Sequence, residues 1–226
     1  MNDHGPPIAS SSGAVWQASA VTRDQRWACS GNHGVTVWLT GLSGSGKSAI
    51  ADIVLAKLTA AGRPAYVLDA DNLRHGLNAD LGFSPADRTE NCRRVAEVAR
   101  LFADAGVVCL VPIISPYAAD RANARDRHEH DGLRFIEVFV DAPLEVCTER
   151  DPKGLYQRAL AGELSEFTGV SAPYEAPQTP ELHLRTNGAD PASLAQCVID
   201  TIYGTRSSGR REVAALTGES MDRSAP

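Results

Sequence analysis

Gly41-Leu42-Ser43-Gly44-Ser45-Gly46-Lys47-Ser48 follows directly on the apolar stretch Val35-Thr36-Val37-Trp38-Leu39-Thr40. The octet matches G-x-x-x-x-G-K-[ST], and a strand pattern before it with a helical pattern after it make it a phosphate site. Its glycines let the backbone turn sharply and aim N–H groups inward. Lys47 reaches the outer phosphates, and the Ser48 hydroxyl is placed to ligate Mg²⁺. The helix opening near Lys47 adds the partial positive charge of its N-terminus. The loop by itself implies a bound nucleoside triphosphate with Mg²⁺ and nothing narrower.

Downstream, Ile50, Ile53, Val54 and Leu58 recur at helical spacing until Ala61-Gly62 and Pro64 stop the pattern. Ala65 to Leu68 reads as a short buried strand, Arg88 to Asp104 as a helix and Val107 to Ile113 as a strand covered on both sides. Tyr117 to His130 reads as a polar helix, Phe135 to Val140 as a strand, and Leu144 to Arg150 and Gly154 to Ala161 as helical pieces. Leu182 to Arg185 is the last strand and Pro191 to Ile202 the last helix. This alternation defines an α/β fold of the P-loop NTPase type, a three-layer sandwich with a mainly parallel sheet. Residues 162 to 180 hold prolines and glycines without a sustained period, so a functional lid is expected over about 154–180. The expected divisions are a disordered N-terminus (1–13), an N-terminal arm carrying Trp16 and Trp27 (14–33), one kinase-like domain (34–204) and a flexible tail (205–226).

A chain of 226 residues can bury one full α/β core. With 22 basic against 28 acidic residues its net charge is −6, which argues against a nucleic-acid surface and confines any anion site to a local cluster. The five cysteines are odd in number and lack C-x-x-C spacing, so they read as reduced and structural. No signal pattern opens the chain, and its longest apolar run is too short to span a bilayer, so the expected location is cytoplasmic, away from membranes.

A phosphate loop serves GTPases, motor ATPases and small-molecule kinases alike. Asp151-Pro152-Lys153-Gly154 fits D-x-x-G, but no N-K-x-D follows to read guanine. A kinase needs a second pocket that holds an acceptor hydroxyl in line with the γ-phosphate. Strands of such a sheet end at the ligand edge, so Asp69 and Asp71 should emerge beside the loop. There a carboxylate can hold water on Mg²⁺ or accept a hydroxyl proton, while Asn72 and Arg74 can ligate an anionic substrate. The alternative for either aspartate is a cap on the following turn.

Asp69-Ala70-Asp71-Asn72-Leu73-Arg74-His75-Gly76-Leu77-Asn78, Asp80-Leu81-Gly82-Phe83-Ser84 and Asp87-Arg88-Thr89-Glu90-Asn91 together resemble the adenylyl-sulfate kinase family. Ile114-Ser115-Pro116-Tyr117, Arg150-Asp151-Pro152-Lys153-Gly154-Leu155-Tyr156, Phe167-Thr168-Gly169 and Pro173-Tyr174-Glu175 extend the resemblance, in order, over about residues 14 to 203. It implies transfer of the γ-phosphoryl group of ATP, with Mg²⁺, to the 3′-hydroxyl of adenosine 5′-phosphosulfate. It also implies that Phe83 and Phe167 sandwich the acceptor adenine, and that Arg74, Arg88 and Asn91 hold its phosphosulfate. Asp71 would orient or deprotonate the hydroxyl, Lys153 would neutralise charge near the transferring group, and the backbone at Ile114 and Ser115 would touch the acceptor. Arg150 with the Thr186-Asn187-Gly188-Ala189 turn would lie against the adenine of ATP, and Ser48 with Asp69 would serve the metal. In bacterial members the serine at Ser115 is described as a phosphoserine intermediate. Direct in-line transfer needs no covalent step, and that route is favoured here. The family commonly dimerises, and a separate ATP sulfurylase is a possible associate.

Three positions depart from the family pattern: Ala49 for threonine, Ala70 for glycine and Ala118 for a basic residue. Ala70 asks whether the turn needs a positive φ, at a cost of about 1 kcal/mol for a non-glycine residue, and Ala118 removes a charge near the acceptor side. His128-Glu129-His130 places two histidines two apart on a helix, off a common face, and reads as solvated surface. Two other readings stay open from the residues alone. One is a kinase of another nucleotide or a small alcohol, and the other is a non-catalytic nucleotide-binding regulator, against which Lys47, Ser48, Asp71 and Lys153 all speak.

Overall fold

A computed structural model describes residue 15, residues 17–204 and residues 211–213. Its centre is β1 (Val35–Thr40), buried at all six positions, as a continuous apolar and β-branched run should be when both faces of a parallel sheet are covered. It pairs in parallel with β3 (Val108–Pro112) on one side and β4 (Arg134–Asp141) on the other. Outside these lie β2 (Ala65–Val67), β5 (Leu182–Arg185) and β6 (Arg211–Val213), giving the order β2-β3-β1-β4-β5-β6 with every pairing parallel. β6 falls within the segment expected to be a flexible tail and adds a strand beyond the five read from the sequence. Residues 1–13 lie outside the described residues.

Side chains alternate across β1, so each face recruits its own helices. Val35, Val37 and Leu39 pack with Ile50, Val54 and Leu58 of α2 (Lys47–Ala60) and with Leu194 and Val198 of α8 (Pro191–Tyr203). Trp38, with Cys109 and Val111 of β3, packs against Cys92, Val95 and Ala99 of α4 (Pro85–Asp104) and Ala124 of α5 (Ala118–His130). The sandwich is therefore helix, sheet, helix. α4 begins earlier than its apolar period shows, because Ser84 caps it and Pro85 occupies its first turn. Among the described residues, no helix is long and apolar enough to cross a membrane.

The N-terminal arm contains α1 (Arg23–Ser30), closed at its start by a Thr22/Gln25 capping box. The sequence left its docking place open, and the structure puts it against the C-terminal end of α4. Trp27 Nε1 donates to Ala103 O (3.3 Å) and Asp104 O (3.1 Å), Asn32 Nδ2 donates to Gly106 O (2.8 Å), and Arg23 Nε pairs with Asp104 Oδ1 (2.8 Å). A helix end leaves carbonyls without partners, and the arm supplies the missing donors.

His128 is a correction. Expected on the solvated surface, it is 0% exposed, because the face of α5 that carries it lies on the sheet. Burial pushes it down to about 4, so the ring is neutral. Nδ1 then donates to Ala124 O (2.7 Å) and Nε2 accepts from Thr36 Oγ1 (2.8 Å). It is a satisfied core histidine.

Candidate active site

The C-terminal ends of β1, β2 and β3 deliver the phosphate loop, Asp69 and the Ile114–Ser115 turn to one edge of the sheet, the edge at which such sheets bind ligands. A cleft of about 450 Å³ opens there. Ser43, Gly44, Gly46, Lys47 and Ser48 line one part of it, and Asp71, Arg74, Phe83, Arg88 and Asn91 another. Asp69, Ile114, Ser115, Arg150 and Lys153 complete the set of expected residues found in its wall.

The loop's shape depends on two glycines in particular. Gly41 has φ +151°, and a Cβ there would stand 2.3 Å from Val140 O of β4. Gly46, at φ +104°, caps α2 without any side-chain partner, which leaves the first N–H groups of that helix for an anion. Lys47 is 8% exposed and donates from Nζ to Gly41 O (2.9 Å) and Leu42 O (2.7 Å). Burial pushes its pKa down to about 8, and Asp71 and Asp69 lie near enough to oppose that shift.

Asp69 takes the capping role that the sequence offered, and its second oxygen reaches the phosphate loop. Its Oδ1 caps the short helix α3 (Ala70–Leu73) by accepting from Asp71 N (3.0 Å) and Asn72 N (3.2 Å), and its Oδ2 accepts from Ser48 Oγ (3.2 Å). Ala70 opens a helical turn and is not among the non-glycine residues in the left-handed region, which are Ser115 and Glu166 among the described residues, so the turn needs no glycine. Asp71, one position on, is exposed and pairs with Lys153, which raises the lysine's pKa.

Elsewhere in the cleft wall, the Arg74 guanidinium stacks on Phe83 with its carbon 4.2 Å from the ring centroid, while Nη1 donates to Leu81 O (3.1 Å) and Gly82 O (2.8 Å). Arg88 donates to Phe83 O (2.9 Å) and Glu166 O (2.9 Å). The Arg88 carbon stands 5.8 Å from the same centroid, so both arginines lie against an aromatic platform that is 59% exposed. Asn91 Oδ1 accepts from Asn78 Nδ2 (3.0 Å), which leaves its own N–H₂ for a ligand.

Ser115 is 1% exposed with φ +39°. Its Oγ accepts from Trp38 Nε1 (3.0 Å) and donates to Thr40 Oγ1 (2.9 Å). Thr40 in turn gives its only proton to Ile114 O (2.7 Å) and lies 3.0 Å from Tyr174 OH, whose proton it accepts. The Ser115 proton is thus committed inside the protein.

Several expected residues lie elsewhere. Phe167 is 9% exposed and packs edge-on against Tyr156, in a small cluster with Ala142, Cys147 and Ala159 on the flank of α6 (Leu144–Arg150) and α7 (Leu155–Leu160). It is not part of the cleft wall that carries Phe83. Gly41, Leu42, Ser45 and Asn72 are outside the cleft wall, and so are Thr186 and Ala189, although Arg150 reaches Thr186 O (3.0 Å) and Gly44 O (3.3 Å). Ala118 is also outside it, its N–H donated to Glu175 Oε2 (2.7 Å). Sequence reasoning gave no role to Thr40, Arg121 or Tyr174. The position of Thr40 directly before the loop, and Tyr174 within Pro173-Tyr174-Glu175, were the available signals.

A glycine-rich loop of the phosphate-binding pattern, with a carboxylate beside it and an arginine-backed aromatic in the same cleft, defines the class of P-loop phosphotransferases. The family described as Adenylylsulphate kinase matches residues 33–185, and the chain belongs to that family. Over 177 residues it is 55% identical to the adenylyl-sulfate kinase of Saccharomyces pastorianus, covering 78% of this chain and 86% of that protein. It is 54% identical over 189 residues to the bifunctional enzyme NodQ of Rhizobium sp. (strain BR816), covering 84% of this chain but only 30% of NodQ. The Mycobacterium tuberculosis APS kinase CysC, solved in complex with AMPPNP and APS, superposes with a TM-score of 0.73 at 56% identity, over 75% of this chain and 98% of that one.

Proposed function

We propose that the chain transfers the γ-phosphoryl group of ATP to the 3′-hydroxyl of adenosine 5′-phosphosulfate. The observation that carries this reading is a single cleft in which Lys47 of the donor loop and the Arg74–Phe83–Arg88 wall flank the Asp71–Lys153 pair. The loop amides and Lys47 bind the donor triphosphate. Phe83 offers its exposed ring to the acceptor adenine, Arg74 and Arg88 supply forked donors for the phosphosulfate, and Asn91 adds its amide N–H₂. Asp71 orients the 3′-hydroxyl and takes its proton, and Lys153 follows the charge of the transferring group. Phe167 reaches the adenine only if the 154–180 segment closes as a lid over the cleft. Ser48 Oγ and Asp69 Oδ2, hard oxygens 3.2 Å apart, fit Mg²⁺ and would hold it directly or through water. Bound there, the ion would neutralise phosphate charge. Transfer is direct, since the Ser115 hydroxyl is buried and committed to Thr40; the serine shapes the acceptor turn. A homodimer, association with an ATP sulfurylase and a cytoplasmic setting belong to the same reading.

The test is incubation of the purified chain with MgATP and adenosine 5′-phosphosulfate. Formation of 3′-phosphoadenosine 5′-phosphosulfate is expected, and its absence overturns the assignment.

The buried lysine adds a pH prediction. Its folded value, about 8, is below the 10.5 of a free lysine, so the folded state disfavours its charge. That cost is present at neutral pH and is relieved as pH rises from 8 toward 10.5. A triphosphate reverses the balance by favouring the ammonium. ATP binding at pH 9 should therefore take up close to one proton, and at pH 6.5 none at this group, because Lys47 is already charged. Calorimetry in two buffers of different ionisation enthalpy measures the uptake, and Lys47→Arg should abolish it at pH 9.

A further inference from the structure

Arg121 lies outside the cleft wall, is 3% exposed, and spends its guanidinium on three separate parts of the chain. Nε donates to Glu137 Oε1 of β4 (2.8 Å), Nη1 to Ser115 O (2.8 Å) and Nη2 to Glu175 O (2.6 Å). Its carbon stands 5.9 Å from the Tyr174 ring centroid. The Ser115 end is a strained non-glycine turn whose neighbours Ile113, Ile114 and Pro116 line the cleft. The Glu175 end closes the 162–180 segment. Glu175 N donates to Pro116 O (2.8 Å), and its carboxylate accepts from Ala118 N, supplying the cap that α5 does not receive from Tyr117.

We propose that Arg121 is a positioning residue that clips the return of the 162–180 segment to the acceptor-side turn at Ser115. The inference rests on the reading of the cleft as a two-nucleotide kinase site. A positive φ at Ser115 costs about 1 kcal/mol and persists only while its surroundings hold it. Trp38 and Thr40 hold the hydroxyl, and Arg121 holds the carbonyl. The same planar fork fixes Glu175, so the turn and the base of the segment share one anchor on β4. A lysine keeps the charge opposite Glu137 but is a point donor, and cannot span the two carbonyls in the geometry of the fork.

Two variants test this. Arg121→Lys keeps the buried charge, and the double variant Arg121→Met/Glu137→Gln removes both charges, so neither leaves an ion unpaired. In both, hydrogen exchange at the amides of Ala118 and Glu175 should quicken by about tenfold or more while β1 and α8 stay protected. The KM for adenosine 5′-phosphosulfate should rise by about tenfold, with the KM for ATP held within about threefold. If exchange at those two amides stays at the wild-type level, or if both KM values rise together, the clip is overturned. A loss of thermal stability with unchanged acceptor KM also overturns it, since that is what mere packing would give. If wild type fails to phosphorylate adenosine 5′-phosphosulfate, the functional reading falls, and the exchange measurement alone decides the clip.

Discussion

Lys47→Met is expected to lower phosphoryl transfer to adenosine 5′-phosphosulfate by about a thousandfold, with the domain still folded. The lysine is buried beneath the loop, held by the Gly41 and Leu42 carbonyls, and methionine fills a similar volume without a charge. Removing the cation ends an expensive burial and leaves two carbonyls short of a donor, each worth about 1 kcal/mol, so the two changes largely offset. Thermal stability at pH 7 should therefore match or exceed wild type. The rate has no such compensation. Charge builds on the transferring group in the transition state, and the ammonium is the buried cation nearest the loop. The N–H groups at the start of α2 remain, so ATP should still bind, more weakly. Steady-state rates and thermal melting together check this, and a variant within tenfold of wild type would remove Lys47 from the chemistry.

Asp71→Asn is expected to reduce kcat by about 10²- to 10⁴-fold, the usual contribution of a positioned base. The KM for ATP should change little, because no atom of the loop is touched. Asparagine keeps the shape and loses the proton acceptor, and it also leaves Lys153 without its charged partner. Both side chains are well exposed, at 61% and 57%, so the pair adds little to stability, and melting should not shift. Measured kinetics at saturating acceptor separate the outcomes. A near-full rate would cancel the role given to Asp71 while leaving the substrate assignment standing.

The parts legible in the sequence were those written in local pattern. A buried strand, eight loop residues and a helix with apolar residues at helical spacing follow one another from Val35 to Leu58, and the strand-end aspartates follow from the sheet's polarity. What stayed hidden depends on partners far away along the chain. Trp27 meets α4 across 76 residues and Tyr174 meets Thr40 across 134, and nothing local to either residue names its partner. Phe167 shows the same limit: an aromatic in a motif can be seen, but its packing on Tyr156 cannot. His128 looked polar in a polar helix, and only the position of α5 on the sheet made it core. The polar ring around Ser115 was unreadable because Trp38, Thr40 and Arg121 each have an ordinary structural use.

The central strand also sets when in folding the site can come into being. β1 has no hairpin partner; Val35 pairs with Val108 and Arg134, both far along the chain. Such distant pairings are closed late and slowly. The backbone of Gly41 presses against Val140 of β4, so the loop acquires its curvature only once β4 has docked. Nucleotide binding at the loop accordingly reports on the docking of β4 beside β1.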